Sequence, residues 1–161
     1  MRAYCSRVDW DSRYRAGDAP SEPHRLVVDI ANMMPPGRAL DLACGAGRNA
    51  RYLAGLGWNV TAIDLSIDAL RLVRLPRIVA ADLEGSPIPI HNVLFDIIII
   101  INFMHRPLFA ESLQLLRPGG LIAVAILTSG RYSIPQNDLR ACFDGCTIAF
   151  EREGEILAIK R

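Results

Sequence analysis

The stretch that decides the fold is ALDLACGAG, residues 39–47. Its apolar first half, interrupted only by Asp41, predicts a short buried strand, and Gly45-Ala46-Gly47 predicts a tight turn into a helix. Glycine has no Cβ, so the backbone of such a turn can approach a ligand closely. The first N–H groups of the following helix have no partner within the helix and are free to bind. The stretch therefore predicts a strand–turn–helix unit with a ligand at the turn.

Strand and helix segments alternate around this unit. The predicted strands are 39–43, 58–63, 77–81, 94–101, 121–127, 146–151 and 155–159, and the predicted helices are 21–34, 48–56, 67–74, 107–116 and 135–143. Residues 1–20 and 84–92 are predicted to be irregular, and Arg117-Pro118-Gly119-Gly120 is predicted to end the fourth helix. This alternation predicts an α/β fold: a three-layer, doubly wound, Rossmann-like sheet that is mostly parallel.

Length and composition predict one domain with one core. The chain has 161 residues, of which 51% are hydrophobic and 22% charged, and this excludes a disordered chain. We expect residues 21–161 to form the core and residues 1–20 a lid-like N-terminal segment. The net charge of +1 gives no reason to expect a nucleic-acid partner. The oligomeric state, monomer or dimer, is left open.

Cysteine usage and hydropathy predict a cytoplasmic protein. The four cysteines (Cys5, Cys44, Cys142 and Cys146) show no C-x-x-C spacing and are expected to be reduced thiols. The first ten residues lack the apolar core of a signal peptide. The most apolar run, residues 93–104, is shorter than the roughly 20 residues that cross a bilayer, so no membrane partner is expected.

Carboxylates lie at or near the ends of three of the predicted strands. In an open α/β sheet the ligand lies beyond the carboxyl ends of the strands, and these ends carry Asp41, Asp64, Asp82 and the segments 102–106 and 128–131. Asp64 lies 19 residues after Gly45, where a carboxylate can accept hydrogen bonds from both hydroxyls of a ribose. A ribose-bearing cofactor is therefore expected.

Two cofactor classes compete for this site. GAGRNA, residues 45–50, matches the dinucleotide fingerprint G-x-G-x-x-A. Asp41 opposes NAD, because a carboxylate at the strand end repels a pyrophosphate. The same carboxylate suits S-adenosylmethionine, which carries a sulfonium and an ammonium group and no phosphate. Asp82 can also accept a hydrogen bond from an adenine amino group.

Three segments together resemble a known family. ALDLACGAGRNARYLAGLGWNVTAIDLS (39–66), WDSRYR (10–15) and LRPGG (116–120) resemble class I S-adenosylmethionine-dependent methyltransferases, in particular the small tellurite-resistance and thiopurine-type branch. The resemblance implies a sheet of seven strands with the last one antiparallel. It also implies a cofactor site: Asp41, Gly45 and Gly47 at the methionine part, Asp64 and Leu65 at the ribose, Asp82 and Leu83 at the adenine, Arg13 or Arg48 at the carboxylate, and Asn102.

The resemblance places the methyl acceptor after the fourth strand, at Asn102, His105 and Arg106. Methyl transfer from a sulfonium is an in-line displacement, so the protein mainly aligns a small-molecule acceptor. His105 is the candidate general base and Arg106 could steer an anionic acceptor. No metal site is expected, because the three histidines lack ligand spacing.

Two alternatives remain open. One is an NAD(P)-binding oxidoreductase, and the other is a non-catalytic cofactor-binding protein with a methyltransferase-like fold. The second has support because the segment after the fifth strand is short, as is the one between strands three and four. These short connections make the N-terminal stretch through Tyr14 the main candidate lid.

Overall fold

The computed structural model describes residues 7–17, 19–129 and 133–161. Cys5, one of the expected thiols, lies outside the described residues. So do Gly130 and Arg131 of the segment 128–131, which follows the fifth predicted strand.

Seven strands form a single sheet. They are β1 (Arg38–Leu42), β2 (Asn59–Asp64), β3 (Ile78–Ala80), β4 (Phe95–Ile101), β5 (Leu116–Ala125), β6 (Cys146–Arg152) and β7 (Glu155–Lys160). Their order across the sheet is β3-β2-β1-β4-β5-β7-β6. The first five strands pair in parallel, and β7 runs antiparallel to both β5 and β6. The expected seven-stranded sheet with an antiparallel last strand is confirmed.

Helices cover both faces of this sheet. They are α1 (Arg7–Arg15), α2 (Arg25–Ala31), α3 (Arg48–Gly55), α4 (Ile67–Val73), α5 (Arg106–Leu115) and α6 (Gln136–Ala141). One core cluster joins α2, α3 and α4 to one face of the sheet, and a second joins α5 and α6 to the other face. In β4, Ile97 and Ile99 belong to the first cluster while Ile98 and Ile100 belong to the second. This burial on both faces explains its continuous apolar sequence and confirms the three-layer, doubly wound fold.

Two expectations for the N-terminal part are wrong. Residues 7–15 form a helix instead of an irregular segment, and α2 begins after His24 instead of Ser21. The His24 imidazole accepts a hydrogen bond from the backbone of Leu26, and its own backbone N–H donates to Asn49 Oδ1 at 2.8 Å. The start of α2 is therefore set by a contact between residues 25 positions apart. Local helix propensity cannot predict such a contact.

The start of β5 also differs from expectation. Residues 116–120, expected to end a helix, belong to the strand, and the register with β4 shifts between Phe95 and Ile97. Arg117 Nε pairs with a carboxylate oxygen of Asp96 in β4 at 2.7 Å, which ties the irregular start to the sheet. A Cβ at Gly120 would lie 3.0 Å from the carbonyl oxygen of Arg117, so the irregularity requires glycine there.

Other local expectations hold. Ser66 caps α4 by accepting from the backbone N–H of Ala69 at 3.1 Å, and residues 84–92 contain neither helix nor strand. Among the described residues, no helix has both the length and the apolar character that crossing a bilayer requires.

Candidate functional site

A cavity of about 500 Å³ opens at the carboxyl ends of the parallel strands. It lies where the strand order reverses between β1 and β4, the position at which open α/β sheets bind ligands. Its wall comes from five chain segments and two single residues: 10–14 in part, 43–49 in part, 64–65, 81–84, 101–104, Pro20 and Leu127. Eight of the expected site residues line it: Arg13, Gly45, Arg48, Asp64, Leu65, Asp82, Leu83 and Asn102.

The turn between β1 and α3 forms the floor of the cavity. Gly45 and Gly47 have φ values of +55° and +77°, which favour glycine at both positions. A Cβ at Gly45 would overlap the hydroxyl of Tyr14, and one at Gly47 would lie 2.9 Å from Val73 Cγ1. Both glycines are therefore needed for close packing. Gly45 faces the cavity, whereas Gly47 lies against α4.

Asp41 lies beneath this turn, outside the cavity wall. Its side chain is 1% exposed, and its Oδ2 has no hydrogen-bond partner among the described residues. Burial, and to a lesser extent the nearby Asp64 carboxylate, raise the pKa of this carboxyl group from 3.8 to about 8. A hydrogen bond from the Ala50 backbone and the charge of Arg48 act in the opposite direction. The site therefore holds a buried acidic group that forms no ion pair among the described residues.

Asp64, at the end of β2, lines the cavity beside it. Its Oδ2 accepts from the backbone N–H of Gly45 at 2.7 Å, and its Oδ1 accepts from that of Ser66 at 2.8 Å. Burial raises the pKa of Asp64, and these backbone donors lower it. The carboxylate thus couples the glycine turn to the start of α4, and it lies in the cavity wall, where a ligand can reach it.

Helix α1 closes one side of the cavity with Trp10, Arg13 and Tyr14. The Arg13 guanidinium lies over the Trp10 ring, 4.9 Å from its centroid. The Asp11 carboxylate accepts hydrogen bonds from Ser66 Oγ and from the backbone N–H of Asp68 at the start of α4. These contacts fix α1 to the helix that follows Asp64.

Asp82 and Leu83 line the cavity beyond β3. Asp82 Oδ1 accepts from the backbone N–H groups of Glu84 and Gly85 at 3.0 and 3.1 Å. These bonds orient the carboxylate and define the loop beside it. Leu83 is 5% exposed and belongs to the core cluster that contains α5 and α6.

The end of β4 supplies a largely apolar wall. Asn102 has a φ of +60°, a conformation that asparagine tolerates better than most residues, and its N–H donates to the Ala125 carbonyl at 2.7 Å. Phe103, Met104 and Leu127 line the cavity beside it, and Leu127 is 47% exposed. Sequence reasoning did not single out these three residues. Their signal is that apolar side chains directly follow two strand ends.

His105 and Arg106 lie outside the cavity wall. His105 precedes α5 as its N-cap residue, without a side-chain capping bond. Arg106 pairs with Asp138 of α6 at 2.7 Å, and both side chains are about half exposed. Their expected roles at the acceptor remain predictions. Within the three described ranges, no three His, Cys, Asp or Glu side chains form a group that could hold a metal ion.

The chain is similar to one protein family and to several proteins named as methyltransferases. Residues 6–96 match the family model of tellurite resistance protein TehB. The demethylmenaquinone methyltransferase of Renibacterium salmoninarum is 32% identical over 108 residues, which is 63% of this chain and 46% of that protein. A probable S-adenosyl-L-methionine-dependent methyltransferase TehB of Haemophilus influenzae is 33% identical over 94 residues, which is 58% of this chain and 30% of that protein. The chain spans less than half the length of these curated relatives.

Solved structures share the fold. TehB from Haemophilus influenzae superposes with a TM-score of 0.73 at 20% identity, covering 96% of this chain and 67% of that one. A TehB-like methyltransferase from Corynebacterium glutamicum gives 0.68 at 22% identity, with 95% of each chain covered. The amino pentose methyltransferase CalS10 from Micromonospora echinaspora gives 0.71 at 18% identity, covering 100% and 99%.

Proposed function

The chain belongs to the family of tellurite resistance protein TehB, and from this premise we propose that it is an S-adenosylmethionine-dependent methyltransferase with a small-molecule acceptor. The observation that carries the proposal is the buried Asp41 carboxyl group, whose Oδ2 has no partner among the described residues. It lies under the glycine turn of a cavity large enough for a nucleoside-sized ligand.

The charges of the site favour a cationic ligand. Asp41 and Asp64 end neighbouring strands, and the negative charge of each disfavours ionisation of the other. A ligand with positive charge near the glycine turn would relieve this repulsion and stabilise both carboxylates. A pyrophosphate would add negative charge to the same place, which is the physical argument against NAD(P).

The residues that line the cavity follow one another in the order that the methionine part, the ribose and the adenine of S-adenosylmethionine require. We assign the glycine turn at Gly45 to the methionine part, Asp64 with Leu65 to the ribose, and Asp82 with the Leu83 backbone to the adenine. Arg13 and Arg48 are the guanidinium groups of the wall that can pair with the cofactor carboxylate. When bound, the cofactor supplies a methyl group that is already activated on a sulfonium.

The acceptor would lie against Phe103, Met104 and Leu127. This wall holds an acceptor by apolar contact and excludes water, so its contribution to in-line transfer is alignment. Asn102 is the polar residue of the same segment and can orient a donor group of the acceptor. An acceptor that must lose a proton would need a base, and His105, one residue beyond this wall, is our candidate.

We assign the role of lid to α1. Its side chains Trp10, Arg13 and Tyr14 cover the glycine turn, and Asp11 fixes the helix to α4. Opening and closing of α1 would admit the cofactor and then shield the reacting groups from water.

Titration calorimetry tests the cofactor assignment. We expect S-adenosylmethionine and S-adenosylhomocysteine to bind, and NAD not to bind. Because a cationic ligand favours ionised Asp41, binding near pH 7 should release protons, which two buffers of different ionisation enthalpy will detect. Binding of NAD alone would refute the proposal.

An acceptor screen with methyl-labelled cofactor then tests catalysis. The relatives' names include a demethylmenaquinone and a malonyl-[acyl-carrier protein] methyltransferase, so the screen should contain quinols, carboxylic acids and amines. Tight cofactor binding without transfer to any acceptor would favour the non-catalytic alternative. The short connection between β5 and α6, residues 126–135, is the observation that supports that alternative.

A further inference from the structure

A cluster of arginines lies in α3, in α4 and in the segment that leads from α4 into β3, the strand at one edge of the sheet. The segment RLVRLPRI, residues 71–78, repeats an arginine followed by an aliphatic residue every three positions, and residues 69–81 contain no acidic side chain. Arg51 joins the cluster, because its guanidinium donates to the Leu72 carbonyl at 3.1 Å. The cluster is defined here as Arg51, Arg71, Arg74 and Arg77.

Little negative charge balances the cluster. Asp68 pairs with Arg71 at 2.8 Å, but it also pairs with Arg15 of α1 at 3.1 Å. Arg77 donates to the neutral amide oxygen of Asn59, and Arg51 donates to backbone carbonyls. This face therefore has a strong local positive charge, although the chain as a whole carries only +1.

The same face exposes apolar side chains and an open strand edge. Leu72 and Ile78 are 45% and 42% exposed. Within the part of the chain that the structure describes, β3 pairs only with β2. The Arg77 carbonyl and the Ala81 N–H bond to β2. Backbone groups alternate along a strand, so those of Ile78 and Ala80 point outward, where another strand can bind them.

We propose that this face binds an acidic, extended segment of another protein, which pairs with β3 and places carboxylates against Arg71, Arg74 and Arg77. An added strand would lie about 4.8 Å from β3, within reach of guanidinium groups that bind carboxylates in bidentate fashion. Its apolar residues would cover Leu72 and Ile78.

Charge and chemistry select this partner over three others. A second copy of the chain would bring arginines against arginines, so a symmetric dimer through this face is disfavoured. A lipid surface cannot pair with the open strand edge. A single-stranded nucleic acid is normally held by stacking aromatic side chains as well as by positive charge, and residues 67–81 contain no aromatic residue.

None of the clustered residues lines the cavity. The proposal therefore stands apart from the proposed function, and it predicts that partner binding leaves the cofactor site open.

Fluorescence anisotropy tests the proposal with a short labelled peptide of alternating glutamate and valine. We expect the wild-type chain to bind this peptide and to lose affinity with rising salt. The triple variant R71Q/R74Q/R77Q should bind about tenfold more weakly or worse. Hydrogen exchange should show new protection at the Ile78 and Ala80 amides when the peptide binds.

Matched controls decide the outcome. The variant R25Q/R140Q/R161Q loses the same charge from other faces and should keep wild-type affinity, and thermal unfolding should confirm that both variants fold. A peptide with glutamine in place of glutamate should not bind. The proposal is overturned if the acidic peptide does not bind the wild type, or if R71Q/R74Q/R77Q binds it normally. It is also overturned if the glutamine peptide binds equally, or if an oligonucleotide or anionic vesicles bind more tightly than the peptide.

Discussion

Replacement of Asp41 by asparagine should change how stability depends on pH. Asp41 keeps its proton in the folded chain up to about pH 8, whereas in the unfolded chain it ionises near its ordinary pKa of 3.8. Between these values the unfolded state binds fewer protons, so the wild type loses stability as pH rises. Asparagine cannot ionise, and the variant lacks this term. The free energy of unfolding of the wild type should therefore fall relative to D41N by about 1.4 kcal/mol per pH unit.

The full shift of the Asp41 pKa sets the upper limit of this effect. A rise from 3.8 to about 8 corresponds to at most about 6 kcal/mol, reached when the pH exceeds the folded-state value. Between pH 5 and 8 the free energy of unfolding of the wild type, taken relative to that of D41N, should fall by up to about 4 kcal/mol. The asparagine side chain would be a buried amide that lacks one hydrogen-bond partner, so D41N also loses some stability at every pH. This constant loss does not affect how the difference between the two chains changes with pH.

Urea denaturation across this pH range measures the difference between the free energies of unfolding of the two chains. Comparison of the two chains cancels the terms they share, including that of His24. The control D29N changes an aspartate whose side chain is 55% exposed, and its curve should run parallel to that of the wild type. Parallel curves for the wild type and D41N would refute the argument that burial holds Asp41 protonated. D41N should also bind S-adenosylmethionine at least tenfold more weakly, because it cannot become negative next to the cation.

Two further variants test the cavity. Gly45→Val should abolish cofactor binding in calorimetry, because its Cβ would overlap the Tyr14 hydroxyl and because a φ of +55° strains a branched residue. Gly55→Ala is the matched control, since a Cβ at Gly55 meets nothing within 4 Å. This control should bind the cofactor normally and gain up to about 1 kcal/mol of stability. Asp11→Asn should weaken cofactor binding several-fold and raise hydrogen exchange in α1 while the melting temperature moves by only a few degrees; unchanged exchange would contradict the role of Asp11 in fixing α1.

The sequence predicted the sheet and the cofactor side of the cavity because both depend on local patterns. Buried strands give continuous apolar runs, and polar residues at their carboxyl ends meet at one edge of the sheet. Gly45, Asp64 and Asp82 come from three separate segments, yet parallel strand order alone brings them to one cavity. The run Arg117-Pro118-Gly119-Gly120 before strand five was harder to predict, because its pattern fits a helix end and a bulged strand equally.

Contacts distant in sequence account for what was missed. Helix α1 has few apolar residues, and its pairing of Trp10 with Tyr14, four positions apart, is too weak a pattern to predict a helix. The structure stabilises it through the bonds of Asp11 and Arg15 to α4. The start of α2 likewise depends on Asn49. Neither contact has a signature in a single sequence.

The acidic and basic groups of the site lie at different depths, and this arrangement limits which ligands can bind more strictly than the shape of the cavity does. The carboxylates are deep, since Asp41 and Asp64 are 1% and 9% exposed. The guanidinium groups lie farther out, because Arg48 is half-buried and Arg13 is exposed. A ligand that presents cationic groups inward and a carboxylate outward fits both ends, as the methionine part of S-adenosylmethionine does. A dinucleotide would place its phosphates against the Asp64 carboxylate, so the same polarity that attracts the first ligand repels the second.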